Sequence, residues 1–287
     1  MKATVLRATD RLPLTCTRAG TCCHGKAIWL NPWELRRLAD ARGESVAAFL
    51  ARDTVDGGIR LRMDGPAGWR SLPACSQYAP DQGCTVHGGR PLACRLYPLG
   101  RQVDATGSRY LHEGKAFPCR AGCPEVDQLP ALTVRDYLHG QSVAAGETAQ
   151  DGYRNLVADL GEGAFVLWQD SALAGDAAVL AAWHSAAAAP PSMRPNIIGS
   201  ELLEWIQAPM VPVDPEDAAK WVEAHRTQVQ AHAQATFAGL RDPGALQTAS
   251  VQLFTAALHL AQANGGDAAA LAQTWLNRGR SLAKGPR

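Results

Sequence analysis

Residues 75–98 read CSQYAPDQGCTVHGGRPLACRLYP, and they hold three of the eight cysteines of this 287-residue chain: Cys75, Cys84 and Cys94. The remaining cysteines lie on both sides of this stretch. Residues 16–23 read CTRAGTCC and supply Cys16, Cys22 and Cys23, and Cys119 and Cys123 follow downstream. Residues 124–287 contain no cysteine. Thiols confined to one segment indicate a single local site, in which the cysteines form disulfides, bind metal or carry out redox catalysis.

The cellular compartment decides between disulfides and metal ligands. Disulfides persist in oxidising compartments, and residues 1–14 lack the apolar core of a signal peptide. We therefore expect a cytoplasmic protein in which the grouped thiols bind metal. The alternative is an exported, disulfide-bonded domain from which a signal peptide has been removed.

Length and composition fit a globular protein that can bury a full core, with 46% hydrophobic and 19% charged residues. The most apolar stretch, residues 177–189, is mostly alanine and is too short for a membrane-spanning helix. The 28 lysines and arginines nearly balance the 27 aspartates and glutamates, and no motif for nucleic-acid binding appears. We expect neither a membrane span nor a nucleic-acid partner.

Short hairpins are predicted around the cysteines. Residues 59–63 alternate apolar and basic side chains as in a half-buried strand, and a turn at residues 64–66 begins a hairpin that leads into Cys75. Residues 99–103 and 109–112 flank a turn and predict a second hairpin. The thiols should therefore lie on loops between small hairpins.

Helical patterns dominate beyond residue 130. Residues 214–216 (Asp-Pro-Glu) should start a long helix that ends near Gly239, and residues 161–163 (Gly-Glu-Gly) should separate two helices. Upstream, Asn31-Pro32-Trp33-Glu34 has the cap, the first-turn proline and the glutamate of a helix start. The predicted fold class is α+β, with a cysteine-rich metal-binding domain at residues 1–130 and an all-α domain at residues 131–287.

All eight cysteines are candidate metal ligands, and the spacing favours iron over zinc. Compact zinc sites usually contain Cys-x2-Cys pairs, and this chain has none. The adjacent Cys22 and Cys23 suit different irons better than one tetrahedral ion, and Cys123-Pro124 is typical of ferredoxin loops. We predict an iron–sulfur cluster, of the 4Fe–4S type, with zinc as the alternative metal.

Basic residues exceed acidic ones between Cys84 and Cys123, by six to two. Such cations lower thiol pKa values and stabilise anionic metal–thiolate groups, so Arg90 and Arg95 are candidate cofactor-binding residues. His24 directly follows Cys23 and His87 lies between Cys84 and Cys94, so both are candidates for further ligands. His225 and His232 should pack in a helix or face a partner, whereas His259 should be solvated on a polar helix face.

Two segments resemble the YkgJ-like cysteine-cluster family of zinc- or iron-chelating domains, which carries a CxxCxxCC signature. Residues 16–23 follow that signature, and residues 83–98 are similar to the second conserved segment of the family. The resemblance covers about residues 14–125 and implies a metal-binding cysteine cluster. The chain departs from the signature at Ala19, where the family has a cysteine. Either Cys119 or Cys123 replaces that ligand, or the site keeps an open coordination position.

Flagellin lysine methylases carry a similar cysteine-rich region, and this resemblance implies S-adenosylmethionine as a possible second cofactor. Three functions remain open: a metal-binding or redox module, a cluster-dependent methyltransferase acting on protein lysines, and a structural zinc scaffold. In each, the helical half would offer a surface for a protein partner or substrate.

Overall fold

The computed structural model describes residues 4–12, 20–104, 107–112, 130–170 and 177–283. Two compact units make up the chain. The first comprises Met1–Ile28, Arg37–Ser45 and Leu61–Glu147, and the second comprises Trp29–Arg36, Val46–Arg60 and Thr148–Arg287. The boundary between separately folding domains at residue 130 stays a prediction.

The strands are short. Within the described residues they are β1 (Thr4–Leu6), β2 (Arg11–Leu12), β3 (Thr54–Val55), β4 (Arg60–Leu61), β5 (Gly65–Ala67), β6 (Pro73–Ala74), β7 (Tyr78–Ala79), β8 (Gly83–Cys84), β9 (Leu99–Asp104), β10 (Gly107–His112) and β11 (Leu132–Thr133).

The helices occupy most of the second half. They are α1 (Pro32–Arg42), α2 (Val46–Asp53), α3 (Leu92–Leu96), α4 (Val134–Gly140), α5 (Ala144–Asp170), α6 (Ala177–Ala188), α7 (Arg194–Ile198), α8 (Ser200–Gln207), α9 (Ala218–Phe237), α10 (Pro243–Ala263) and α11 (Ala268–Ala283). The predicted α+β class, with small hairpins followed by helices, is confirmed.

Helix α1 begins at the predicted capping box. The backbone N–H of Glu34 donates to Oδ1 of Asn31 at 3.0 Å, and the backbone N–H of Asn31 donates to the Glu34 carboxylate at 3.0 Å. Two backbone donors that have no partner inside the helix are thereby satisfied. The helix ends before Gly43, whose positive φ of 70° suits glycine.

Antiparallel pairing organises the first unit. Strands β9 and β10 form the predicted second hairpin, with Leu111 opposite Gly100, and β1 extends it to a three-stranded sheet in the order β1-β10-β9. Strands β5 and β6 form a hairpin that ends directly before Cys75. The first hairpin predicted from the sequence was wrong, because β4 within residues 59–63 pairs with β3, and the predicted turn residues Gly65 and Pro66 belong to β5. Two apolar clusters support these elements: one of Leu12, Leu99, Val134 and Tyr137, and one of Leu92, Leu96 and Val143.

Aromatic side chains form the core of the second unit. Trp183 is fully buried and stacks on Phe254 with ring centroids 4.4 Å apart, and Phe165 packs edge-on against the same tryptophan. The indole N–H of Trp183 donates to the Ser250 hydroxyl at 3.2 Å. Burial of these large rings is the main stabilising contribution to a helical core of this kind.

Three further local predictions were wrong. The long helix begins at Ala218 with Asp217 as its cap, three residues later than expected. Residues 161–163 lie inside α5, where a Cβ atom on Gly161 would be 2.5 Å from the Trp275 ring, so this glycine permits close packing. The second half also contains the two-residue strand β11, which pairs with β2. No helix in the described ranges is long and apolar enough to cross a membrane.

Candidate metal centre

A tight turn presents Cys22 and Cys23. Residues 21–23 form a 3-10 turn preceded by Gly20, whose φ is 77°. The backbone N–H of Cys23 donates to the Gly20 carbonyl at 2.8 Å, and Nδ1 of His24 lies 2.9 Å from the same oxygen. A side chain at position 20 would overlap the Tyr78 ring. Both the backbone conformation and the space therefore require glycine here.

Backbone pairing brings Cys75 next to this turn. The N–H of Cys75 donates to the Cys23 carbonyl at 2.8 Å, and the N–H of Gly25 donates to the Pro73 carbonyl at 3.0 Å. Residues 23–25 therefore run antiparallel to the end of the β5–β6 hairpin. The β5–β6 hairpin thus sets the position of Cys75 relative to Cys23.

Two further elements carry Cys84 and Cys94. Cys84 ends β8 opposite Tyr78 in the β7–β8 hairpin, and the carbonyl of Gln77 accepts bonds from the Thr85 N–H at 2.9 Å and the Thr85 hydroxyl at 3.0 Å. Cys94 lies in the short helix α3, where its N–H donates to the Pro91 carbonyl at 3.0 Å.

All five described cysteines line one cavity of about 80 Å³, which we call the thiol pocket. Apolar side chains, two cations and several polar groups complete its wall: Ile28, Leu38, Leu61, Met63, Val86, Lys26, Arg90, Gln77, Tyr78, His87 and Tyr97 among them. None of these five cysteines is in a disulfide. Cys16, Cys119, Cys123 and the signature departure Ala19 lie outside the described residues.

Crowding of the thiols opposes their ionisation. A hydrogen bond with Cys22, then burial, then the nearby thiols raise the pKa of Cys23 well above its usual range. Burial and the neighbouring cysteines likewise raise the pKa of Cys94, whereas Arg90 lowers it. Thiols that share a partly desolvated pocket stay protonated until a cation takes the place of the protons.

The two predicted cofactor-binding arginines differ in their surroundings. Arg90 lines the thiol pocket, and its Nη2 donates to the Gln141 side chain at 2.9 Å. The guanidinium of Arg95 donates to three backbone carbonyls: those of Arg90 at 2.8 Å, Gln141 at 3.0 Å and Gly88. Arg95 is not among the residues that line the pocket, so it braces the loop that carries Arg90.

The histidines also divide. His87 lines the thiol pocket, whereas His24 is buried beside Tyr78 outside its lining, with Nδ1 near the Gly20 carbonyl. His225 is fully buried between the Tyr153 hydroxyl and the Trp205 carbonyl, each 2.9 Å away, and is the packed residue that was predicted.

The prediction for His259 was wrong. This side chain is fully buried, and its Nε2 lies 2.9 Å from the Gln207 amide. Burial and the nearby Arg194 lower its pKa to about 4, so it is neutral in the folded protein at neutral pH. Polar partners from other helices cover the helix face that the sequence pattern assigns to solvent.

Among the polar side chains of the pocket, sequence reasoning did not single out Gln77, Tyr78 or Lys26. Gln77 and Tyr78 fall between cysteines in the quoted stretch, and no motif marks them. Lys26 also places its ammonium 4.1 Å from the centre of the Tyr97 ring. Only their three-dimensional neighbours reveal that they belong to the pocket.

The donors of the thiol pocket suit a soft metal, because thiolates are preferred ligands of zinc and of iron in iron–sulfur clusters. Within the described ranges, no group of three or more histidine, cysteine or acidic side chains is arranged to hold a metal ion. A metal bound here would draw the thiols towards itself, as expected where site formation and metal binding are coupled.

A second concavity lies in the helical unit. It is a groove of about 920 Å³ between α5, α9 and α10, and Val166, which is 52% exposed, lies in its wall with Asp159, Asp170 and Arg241. The partner or substrate surface predicted for the helical half stays a prediction, and this groove is where it would be sought.

Comparison with known proteins identifies the cysteine-rich segment. Residues 15–113 match the model of the CxxCxxCC family, described as "Putative zinc- or iron-chelating domain". The matched segment includes both stretches that carried the resemblance in the sequence, and the resemblance is confirmed. No curated protein and no solved structure matches the chain.

Proposed function

We propose that the protein binds iron in the thiol pocket, held as an iron–sulfur cluster of the 4Fe–4S type, and acts as a metal- or electron-handling module. The carrying observation is the convergence of five thiols from a turn, two hairpins and a helix on one cavity. The proposed ligands come from the five cysteines that line the pocket: Cys22, Cys23, Cys75, Cys84 and Cys94. Cys16, Cys119 and Cys123 remain candidates.

Two features support a cluster over a single zinc ion. Cys22 and Cys23 are consecutive residues of one turn, and both line the cavity. A cluster with several irons lets two adjacent thiolates bind different metal ions. The cavity of about 80 Å³ is also several times the roughly 10–15 Å³ that holds one water molecule. This room suits a group of several atoms.

The residues of the chain itself would perform three tasks at this site. The side chains of Ile28, Leu38 and Leu61 keep water away from the sulfurs. Arg90 and Lys26 oppose the negative charge that thiolates accumulate. The backbone bonds from Cys75 to Cys23 and from Thr85 to Gln77 hold the loops in place. A bound cluster would supply a one-electron redox centre.

We propose a reducing compartment, the cytoplasm, as the place of action. The match of residues 15–113 to a zinc- or iron-chelating family supports this, since a cysteine in a disulfide cannot serve as a metal ligand. Metal–thiolate chemistry needs the same reduced state of the cysteines.

Anaerobic expression with ample iron tests the proposal. The purified full-length protein should be brown, contain iron and acid-labile sulfide, and bleach in air. Cys22→Ser and Cys84→Ser should each lower the iron and sulfide content. Met63 lines the same pocket, and Met63→Leu conserves volume and removes no thiol. This control variant should keep the full iron and sulfide content.

Colourless protein with stoichiometric zinc and no sulfide would contradict the cluster and favour the structural zinc scaffold. Full iron content in both serine variants would exclude the thiol pocket as the site. A specific change of the cluster spectrum on addition of S-adenosylmethionine would favour the methyltransferase among the functions considered.

A further inference from the structure

Gln77 is a buried polar side chain of the thiol pocket with an unmade hydrogen bond. The residue is 2% exposed and lines the pocket, and its Oε1 atom is buried without a hydrogen-bond partner. Its Nε2 donates to the hydroxyl of Ser76 at 3.0 Å. A buried polar atom without a partner costs stability, and native proteins seldom retain one without a reason.

The position of Gln77 is fixed by its backbone. Its carbonyl accepts bonds from both the N–H and the hydroxyl of Thr85, next to Cys84. Its neighbour Tyr78 donates its N–H to the Cys75 carbonyl at 2.9 Å. The side chain is therefore held at the pocket by the same turns that position two of the thiols.

A second buried polar group of the pocket has the same property. Nε of Arg90 is buried without a hydrogen-bond partner, although the Nη2 of the same guanidinium is held by Gln141. Arg90 and Gln77 both line the cavity that the five thiols line. Polar groups left unsatisfied around one cavity indicate that a group bound in the cavity supplies their partners.

We infer that Gln77 is a positioning residue of this site, whose amide N–H donates a hydrogen bond to a sulfur of the metal–thiolate group bound in the pocket. The inference rests on metal binding in the thiol pocket and holds for zinc as well as for iron. A half-turn of the terminal amide exchanges Nε2 and Oε1, so Nε2 takes the place that has no partner and Oε1 faces Ser76. The Ser76 hydroxyl can donate to Oε1 as readily as it accepts from Nε2, so that bond survives.

The function of such a bond is to stabilise negative charge on sulfur. Hydrogen bonds from residues behind the ligands orient the ligands and tune metal affinity and reduction potential. A donor to sulfur favours the more negative, reduced state, so its loss should make the reduction potential of a cluster more negative.

Gln77→Leu is the principal test, and Gln82→Leu is its matched control, since Gln82 is an exposed glutamine in the adjacent turn. In chelator competition with Zn²⁺ on metal-free, full-length protein, Gln77→Leu should bind about 10–100-fold more weakly than the parent. Gln82→Leu should bind like the parent.

Thermal unfolding separates positioning from a merely structural role. Removing an unsatisfied buried atom should leave the metal-free protein at least as stable as the parent, whereas the Zn²⁺-loaded variant should lose part of its gain from metal. Equal destabilisation of both forms, or Zn²⁺ affinity equal to that of the control, would overturn the inference.

Gln77→Glu distinguishes a hydrogen-bond donor from a metal ligand. A carboxylate cannot donate and adds charge beside thiolates, so Zn²⁺ affinity should fall below that of Gln77→Leu. Affinity at or above the parent value would mean that position 77 ligates through oxygen, and the donor role would be abandoned. A parent that binds Zn²⁺ but never assembles a cluster would refute the proposed iron function while leaving the role of Gln77 intact.

Discussion

Acidification should unfold the helical unit because two of its histidines are buried in the neutral form. Burial lowers the pKa of His225 from 6.5 to about 4, and burial with the nearby Arg194 does the same for His259. The Trp205 carbonyl can only accept, so Nε2 of His225 carries its proton and Nδ1 accepts from the Tyr153 hydroxyl. A second proton on either ring would place a charge in the core.

The direction follows from proton uptake. Above pH 6.5 both states hold neutral histidines and stability is unaffected. As pH falls from 6.5 towards 4, these histidines become protonated in the unfolded chain but stay neutral in the folded chain. The free energy of unfolding therefore decreases. Each histidine then costs about 3 kcal/mol, since one pKa unit corresponds to about 1.4 kcal/mol. Both together approach the roughly 5–15 kcal/mol that stabilises a typical protein.

Urea unfolding followed by tryptophan fluorescence between about pH 7 and pH 4 measures this loss, because Trp183 and Trp221 are buried in the same unit. His225→Gln and His259→Gln should lower stability at neutral pH and each flatten the pH dependence by about 3 kcal/mol. His184→Gln, at an exposed position, controls for the loss of a histidine. A pH profile as steep in both buried-site variants as in the parent would refute the reasoning.

Two glycines offer further tests. Gly161→Ala should destabilise the helical unit by about 1–3 kcal/mol in urea unfolding, because its Cβ atom would be 2.5 Å from the Trp275 ring. Gly239→Ala is the control, because a Cβ atom there would meet nothing within 4 Å and the loss of stability should be far smaller. Equal losses of stability in the two variants would contradict the role of packing at Gly161. Gly20→Ala should lower bound metal, since the added atom meets the Tyr78 ring at the turn that carries Cys22 and Cys23. Gly107→Ala shares the positive φ but meets nothing within 4 Å, so metal content that falls equally in both variants would attribute the effect to backbone strain alone.

Features determined by a few neighbouring residues were predictable from the sequence. The capping box at Asn31 and Glu34 and the hairpin of residues 99–112 follow from contacts within a few positions of each other. The residues that select these bonds are close together in the sequence. Residue types and spacing are therefore sufficient to locate them.

The first residue of helix α9 could not be predicted locally, because it depends on a contact with a residue distant in the sequence. Asp214 accepts from the N–H of Glu216 at 2.8 Å and forms a local turn, whereas Asp217 caps the helix through the N–H of Lys220 at 3.2 Å. The Pro215 carbonyl accepts from the indole N–H of Trp33 at 2.8 Å, a residue far away in sequence. Both aspartates are competent caps, and this tertiary bond holds residues 214–216 outside the helix.

The prediction that the polar face of α10 is exposed to solvent was wrong for a related reason. Arg194 donates to the Gln262 side chain at 2.7 Å, and the Gln207 amide lies against His259. Periodicity assigns polar residues to solvent because water usually satisfies them. Here side chains from α7 and α8 contact Gln262 and His259 instead of water, and the face is buried with Thr255 and His259 fully covered.

The same limit explains what could be read of the thiol pocket. Grouped cysteines indicate a metal site because thiols seldom cluster otherwise in a reducing compartment, so candidate ligands could be named from spacing alone. Gln77 could not, because glutamine between two cysteines is equally compatible with an exposed loop. Its role depends on the paired bonds from Thr85 that bury it and on a carbonyl oxygen left without a partner beside the thiols. Candidate ligands are recognisable from residue type, whereas the groups that would orient them are recognisable only from where the fold places buried polar atoms that lack a partner.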